Sequence, residues 1–167
     1  MDKLIKILDK LIPLFSTLLG AYITYIVTFI ILVFYSVLDI KYREIPAWLL
    51  YAGTVVVFAL GIASRVIIQA DIIGYVIISS AIYGVICLMV KILKKWVGEA
   101  DFDVIFVIYL AIGARNMCLF SFSMFVLSGV MYAWLAVRKS DRDRRLPLIP
   151  VLTAAYVMTI ILGGGVY

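Results

Sequence analysis

Two aspartates, Asp39 and Asp101, stand where long apolar runs of the chain meet short polar ones. Two carboxyl groups held close together cannot both ionise easily, so they share a proton. One can then activate a water molecule while the other protonates or polarises a peptide carbonyl. That is aspartic-protease chemistry, and it calls for no cofactor and no metal. Few other catalytic vocabularies remain, because the 167 residues include no histidine. Ser-His-Asp and Cys-His nucleophiles, HExxH zinc sites and most imidazole-based metal binding are thereby removed. Cys87 and Cys118 lie in apolar stretches without a CxxC pair, and read as small hydrophobes rather than as a disulfide framework or a thiolate knuckle.

The elements that must position the two acids are membrane helices. Apolar residues make up 66% of the chain and charged ones 15%, with a mean hydropathy of +1.17, which excludes a water-soluble globule. At about 20 residues per spanning helix, the length accommodates about six spans and no separate soluble domain. The expected fold class is therefore all-α, a single polytopic membrane domain over 1–167 with six transmembrane helices. Within 1–13, Leu4, Ile5, Leu8, Leu11 and Ile12 share one helical face while Lys3, Lys6 and Lys10 lie off it. This is the pattern of an amphipathic helix lying in the membrane interface. Spans follow at about 14–38, 47–63 and 72–90. The stretch 104–137 is too long for one span, since it would make a helix of about 51 Å against a hydrocarbon core of about 30 Å. Breaking it at Gly113-Ala114-Arg115-Asn116 gives a short fourth helix and a fifth, and 148–161 supplies the sixth.

Charge sets the expected orientation. Ten of the 15 basic residues, namely Lys41, Arg43, Lys91, Lys94, Lys95, Arg138, Lys139, Arg142, Arg144 and Arg145, fall in the loops after spans one, three and five. The positive-inside tendency then puts loops 39–46, 91–101 and 138–146 in the cytoplasm and both termini outside. The net charge of +5 belongs to that asymmetry, so no nucleic acid is expected as a partner. Two spans, an even number, separate Asp39 from Asp101, which brings both acids to the cytoplasmic face. A plainer role is open to each: Asp39 can end a helix at the interface, and Asp101 can cap the next. Trp48, Trp96 and Trp134 sit near span ends as interfacial anchors.

The residues around the two acids carry a resemblance. Asp39-Ile40-Lys41-Tyr42-Arg43-Glu44-Ile45-Pro46, Gly98-Glu99-Ala100-Asp101 with Gly113-Ala114 further on, and Leu146-Pro147-Leu148-Ile149-Pro150 occur in this order. Together they resemble the GxGD membrane aspartic proteases, and within them the type IV prepilin peptidases, in particular the archaeal prepilin and preflagellin branch. Each piece alone is weak; order and spacing carry the likeness. Ala100 stands in place of the second motif glycine and is still small enough for close backbone approach, and Asp103 stands where relatives commonly carry Lys.

The resemblance implies catalytic roles for Asp39 and Asp101, with Lys41, Ile45, Pro46, Gly98, Ala100, Pro147 and Pro150 as supporting motif positions. It implies cleavage of the short basic leader from pilin or archaellin precursors at the cytoplasmic face. Methyl transfer is not expected, because nothing corresponds to the paired CxxC segment of bacterial members. Glu44, Glu99 and Asp103, on the same side as the dyad, could attract a basic leader, although solvated loop charges explain them too. Helix dipoles put the proton on Asp39, at the negative end of the first helix, and the charge on Asp101, at the positive start of the fourth. Two other functions compete: a small proton-coupled transporter or channel subunit using boundary carboxylates, and an assembly protein without catalysis. A relay would distribute acids through the bilayer depth, and spans two, three, five and six hold none.

Overall fold

The computed structural model describes residues 2–67, 71–93, 98–137 and 148–163. Its elements are all helical: α1 (Asp2–Tyr42), α2 (Ala47–Ile67), α3 (Ile72–Leu93), α4 (Glu99–Val137) and α5 (Leu148–Leu162). Four stretches, Tyr22–Tyr42, Ala47–Val66, Ile72–Ile92 and Asn116–Trp134, are long and apolar enough to cross a membrane. Large hydrophobics such as Ile30, Val55, Ile77 and Phe125 are exposed on the outside of the bundle. A continuous apolar exterior of this kind fits lipid and not water.

The helix α1 departs from expectation. It runs without a break for 41 residues, so the amphipathic segment at 1–13 is the start of the first long helix and not a separate one. Between that segment and the span lie Ser16, Thr17 and the single Gly20, no run of polar residues or glycines that would end the helix. Pro13 removes one amide donor without stopping it.

The long apolar stretch does break where a break is needed. Gly113 adopts φ 70 and ψ 172, backbone geometry essentially restricted to glycine, and divides α4 into segments 99–112 and 114–137. The two run in opposite directions. Asp101 begins the first at the end of the bundle where Asp39 lies, whereas Trp134, late in the second, lines a groove with Pro150 and Ala154 at the start of α5. At the other end, Gly163 adjoins Asn116 and Leu119.

The first segment of α4 is the centre of the molecule. Val104, Val107, Ile108, Leu110, Ala111 and Ile112 are each no more than 2% exposed, as a helix apolar on every side must be. Segment 99–112, about 21 Å long, and α5, about 22 Å long, are both shorter than a hydrocarbon core of about 30 Å. They pack among longer helices that carry the outer surface.

Candidate active site

Asp39 owes its position to the way α1 ends. The Arg43 N–H donates to the Asp39 carbonyl at 3.0 Å, and Arg43 has φ 56, the left-handed conformation that terminates helices. The chain then passes through Glu44, Ile45 and Pro46 without helix, and the Pro46 carbonyl accepts the Leu49 N–H at 2.9 Å as α2 begins. Ile45 packs against the core. Lys41, Glu44 and Pro46 are exposed, and the Lys41 Nζ lies 5.0 Å from the centre of the Tyr42 ring.

Asp101 is built into the opening turn of α4. Its N–H donates to the Gly98 carbonyl at 3.2 Å, and its carboxylate accepts the Gly98 N–H. The carboxylate contact is the acid half of a capping box, with Asp101 at the third helical position and a backbone turn in place of the N-cap side chain. Gly98 leaves the room for it, since a Cβ there would lie 3.2 Å from Asp101 Oδ2, and Ala100 packs against the core. The plain capping role is therefore real for Asp101.

A second set of contacts goes beyond capping. Asp39 Oδ2 accepts the N–H of Ile149, the second residue of α5, at 3.4 Å. The first-turn amides of a helix have no partner within it, and α5 opens with little of its own to satisfy them: Pro147 offers no side-chain acceptor and Pro150 no N–H. Asp39 thus caps α5 from another helix. Asp101, itself half-buried, has the Asp39 carboxyl as its charged neighbour. The two acids share one electrostatic site, at the meeting point of the end of α1 and the starts of α4 and α5.

Besides the dipoles of α1 and α4, the positive N-terminus of α5 faces Asp39 and favours its anion, and both acids are half-buried. The Asp103 charge acts on the hydroxyls of Tyr35 in α1 and Tyr83 in α3. Two residues further along a helix is about 200° around its axis, so Asp101 and Asp103 cannot address one partner.

Pro147, Arg145 and Arg142 lie outside the described residues, as does the side chain of Glu99. Among the described residues, no group of three or more His, Cys, Asp or Glu is placed to hold a metal ion. Sequence reasoning missed the contribution of Ile149, whose donor is a backbone amide, and of the buried hydroxyls Ser36 and Thr153, which bond across the α1–α5 contact at 2.8 Å. Their signal was spacing: Ser36 lies one turn before Asp39, and Thr153 one turn after Ile149. No family model, no curated protein and no solved structure matches the chain.

Proposed function

We propose that the protein is an intramembrane aspartic endopeptidase with Asp39 and Asp101 as its catalytic pair. The observation that carries this reading is the shared site, in which half-buried Asp101 neighbours Asp39 while Asp39 takes a helix-terminal N–H. In the monoprotonated pair, Asp39 holds the charge and withdraws a proton from water, and Asp101 donates its proton to the scissile carbonyl oxygen. Water oxygen bonds to the carbonyl carbon; collapse of the tetrahedral intermediate breaks the C–N bond and returns a proton to the leaving amine.

The substrate proposed is the precursor of a pilin-like or archaellin-like filament subunit, cut after a short basic leader without N-methylation. The proposed setting is a cell membrane crossed six times, counting segment 99–112 and α5 as spans, with the termini outside and the dyad at the cytoplasmic face. Exposed Glu44 offers one acid toward a Lys- or Arg-bearing leader. Asp103, whose charge acts on Tyr35 and Tyr83, is left out of that role.

Co-expression with a candidate precursor tests the proposal. Wild-type protein should convert the precursor to a faster-migrating form, and Asp39→Asn should leave it intact while inserting normally. An uncut precursor beside well-inserted wild type, across a panel of such precursors, would remove the peptidase reading and favour a proton-relay role for the same acids.

A further inference from the structure

We infer that Thr153 is a positioning residue, whose hydroxyl fixes α5 against α1 so that the Ile149 N–H stays on the Asp39 carboxylate. Its role in catalysis rests on the dyad reading above; the positioning contact itself does not.

The contact is a ladder between two antiparallel helix faces. On α1 the rungs are Tyr25, Leu32, Ser36 and Asp39; on α5 they are Tyr156, Thr153 and Ile149, residues at helical spacings that share one face. Asp39 meets the Ile149 N–H at 3.4 Å, Ser36 Oγ lies 2.8 Å from Thr153 Oγ1, and the Tyr156 hydroxyl donates to the Tyr25 carbonyl at 3.1 Å. Thr153 Oγ1 also lies 3.0 Å from the Ile149 carbonyl and 3.3 Å from the Leu32 carbonyl, and Ser36 Oγ lies 2.8 Å from the Leu32 carbonyl. Each hydroxyl has one proton. Whichever way the Ser36–Thr153 bond points, the remaining proton goes to a carbonyl, and the chain of bonds joins α5 to α1.

Thr153 matters more than an average buried hydroxyl because of where the ladder is weak. The Asp39–Ile149 bond is long by the standard of charge-assisted bonds, and Pro150 in the first turn of α5 has no N–H to add a second one. The next rung is one turn in. Thr153 is only 8% exposed and Ser36 9%, so water does not compete for that rung. Among the described residues, the charged groups acting on Asp39 are Arg43 from the end of its own helix and Asp101 from α4. Neither comes from α5, so the N-terminal amide is what α5 contributes to the dyad.

The test reads that amide directly. In protein reconstituted into lipid nanodiscs, the Ile149 amide proton should move downfield as the carboxylate ionises between about pH 3 and pH 8. That response should vanish in Asp39→Asn. Thr153→Val, which removes the hydroxyl and keeps the shape, should cut the response by about half or more, while Thr153→Ser keeps it. Ser36→Ala removes the other half of the rung and should weaken the response in the same direction; it decides the matter if Thr153→Val fails to insert. An unchanged amide response in these variants would overturn the inference. Cleavage provides the second readout: Thr153→Val should lower kcat with KM unchanged, and Thr153→Ser should restore it. Loss of the amide response in Thr153→Val from a wild type that cleaves nothing would sink the peptidase reading and leave the positioning contact standing. An unchanged response beside active wild type would do the reverse.

Discussion

The backbone N–H of Ile149 meets the Asp39 carboxylate across 110 residues of chain, at 3.4 Å. One carboxylate thereby has two duties: it caps the start of α5, and it neighbours a second acid. Coupling the start of α5 to the dyad means that any displacement of α5 changes the field at Asp39, a consequence of helix-terminus electrostatics in a site of low dielectric.

The pH dependence follows from the acid role of Asp101, which requires its carboxyl to stay protonated. Raising the pH until that proton is lost should lower kcat, approaching about tenfold per pH unit. Asp39→Asn removes the neighbouring charge, and Asp101 should then ionise at lower pH, as followed by carboxyl carbon NMR. A pH-independent kcat, with chemistry limiting, would contradict the assignment.

Asp101 and Asp103 should separate cleanly in a cleavage assay. Asp101→Asn removes the acid and should lower the rate by about 10²–10⁴-fold. Asp103, about 200° around the helix from Asp101 and with its charge acting on Tyr35 and Tyr83, is not the dyad acid, and Asp103→Asn should stay within about tenfold of wild type. The reverse pattern would move the catalytic position two residues downstream.

At Gly98 the outcome is graded. A methyl group there would lie 3.2 Å from Asp101 Oδ2, tight enough to shift the carboxylate without expelling it. Gly98→Ala should insert normally and cleave more slowly than wild type, with the loss in kcat. A wild-type kcat would show that the close approach has no bearing on catalysis.

Gly113 has open space around it, with no atom within 4 Å of a would-be Cβ, yet φ is +70. The penalty for Gly113→Ala is therefore backbone strain alone, about 1–3 kcal/mol. Thermal unfolding in detergent should show the loss, and wild-type stability would mean that the break tolerates a side chain.

Much of this was legible in the sequence because its cues were local. Polar text ended α1 near Asp39 and opened α2 at Ala47, while Gly113 marked the reversal inside an apolar run too long for a single span. Parity of spans brought Asp39 and Asp101 to one end. The continuity of α1 through Pro13 was not legible, since one proline weakens a helix without specifying that it ends. Nor was the Ile149 contact: backbone donors have no side-chain signature, and the pairing of α1 with α5 is a tertiary fact.

The central claim is that Asp39 and Asp101 hydrolyse a peptide bond together. It is tested most directly by incubating purified protein in liposomes with a precursor bearing a basic leader and an apolar helix, and measuring product masses. Wild type should release the leader at one bond, and Asp39→Asn and Asp101→Asn, each correctly inserted, should release none above background. Cleavage at the wild-type rate by either variant would contradict the account.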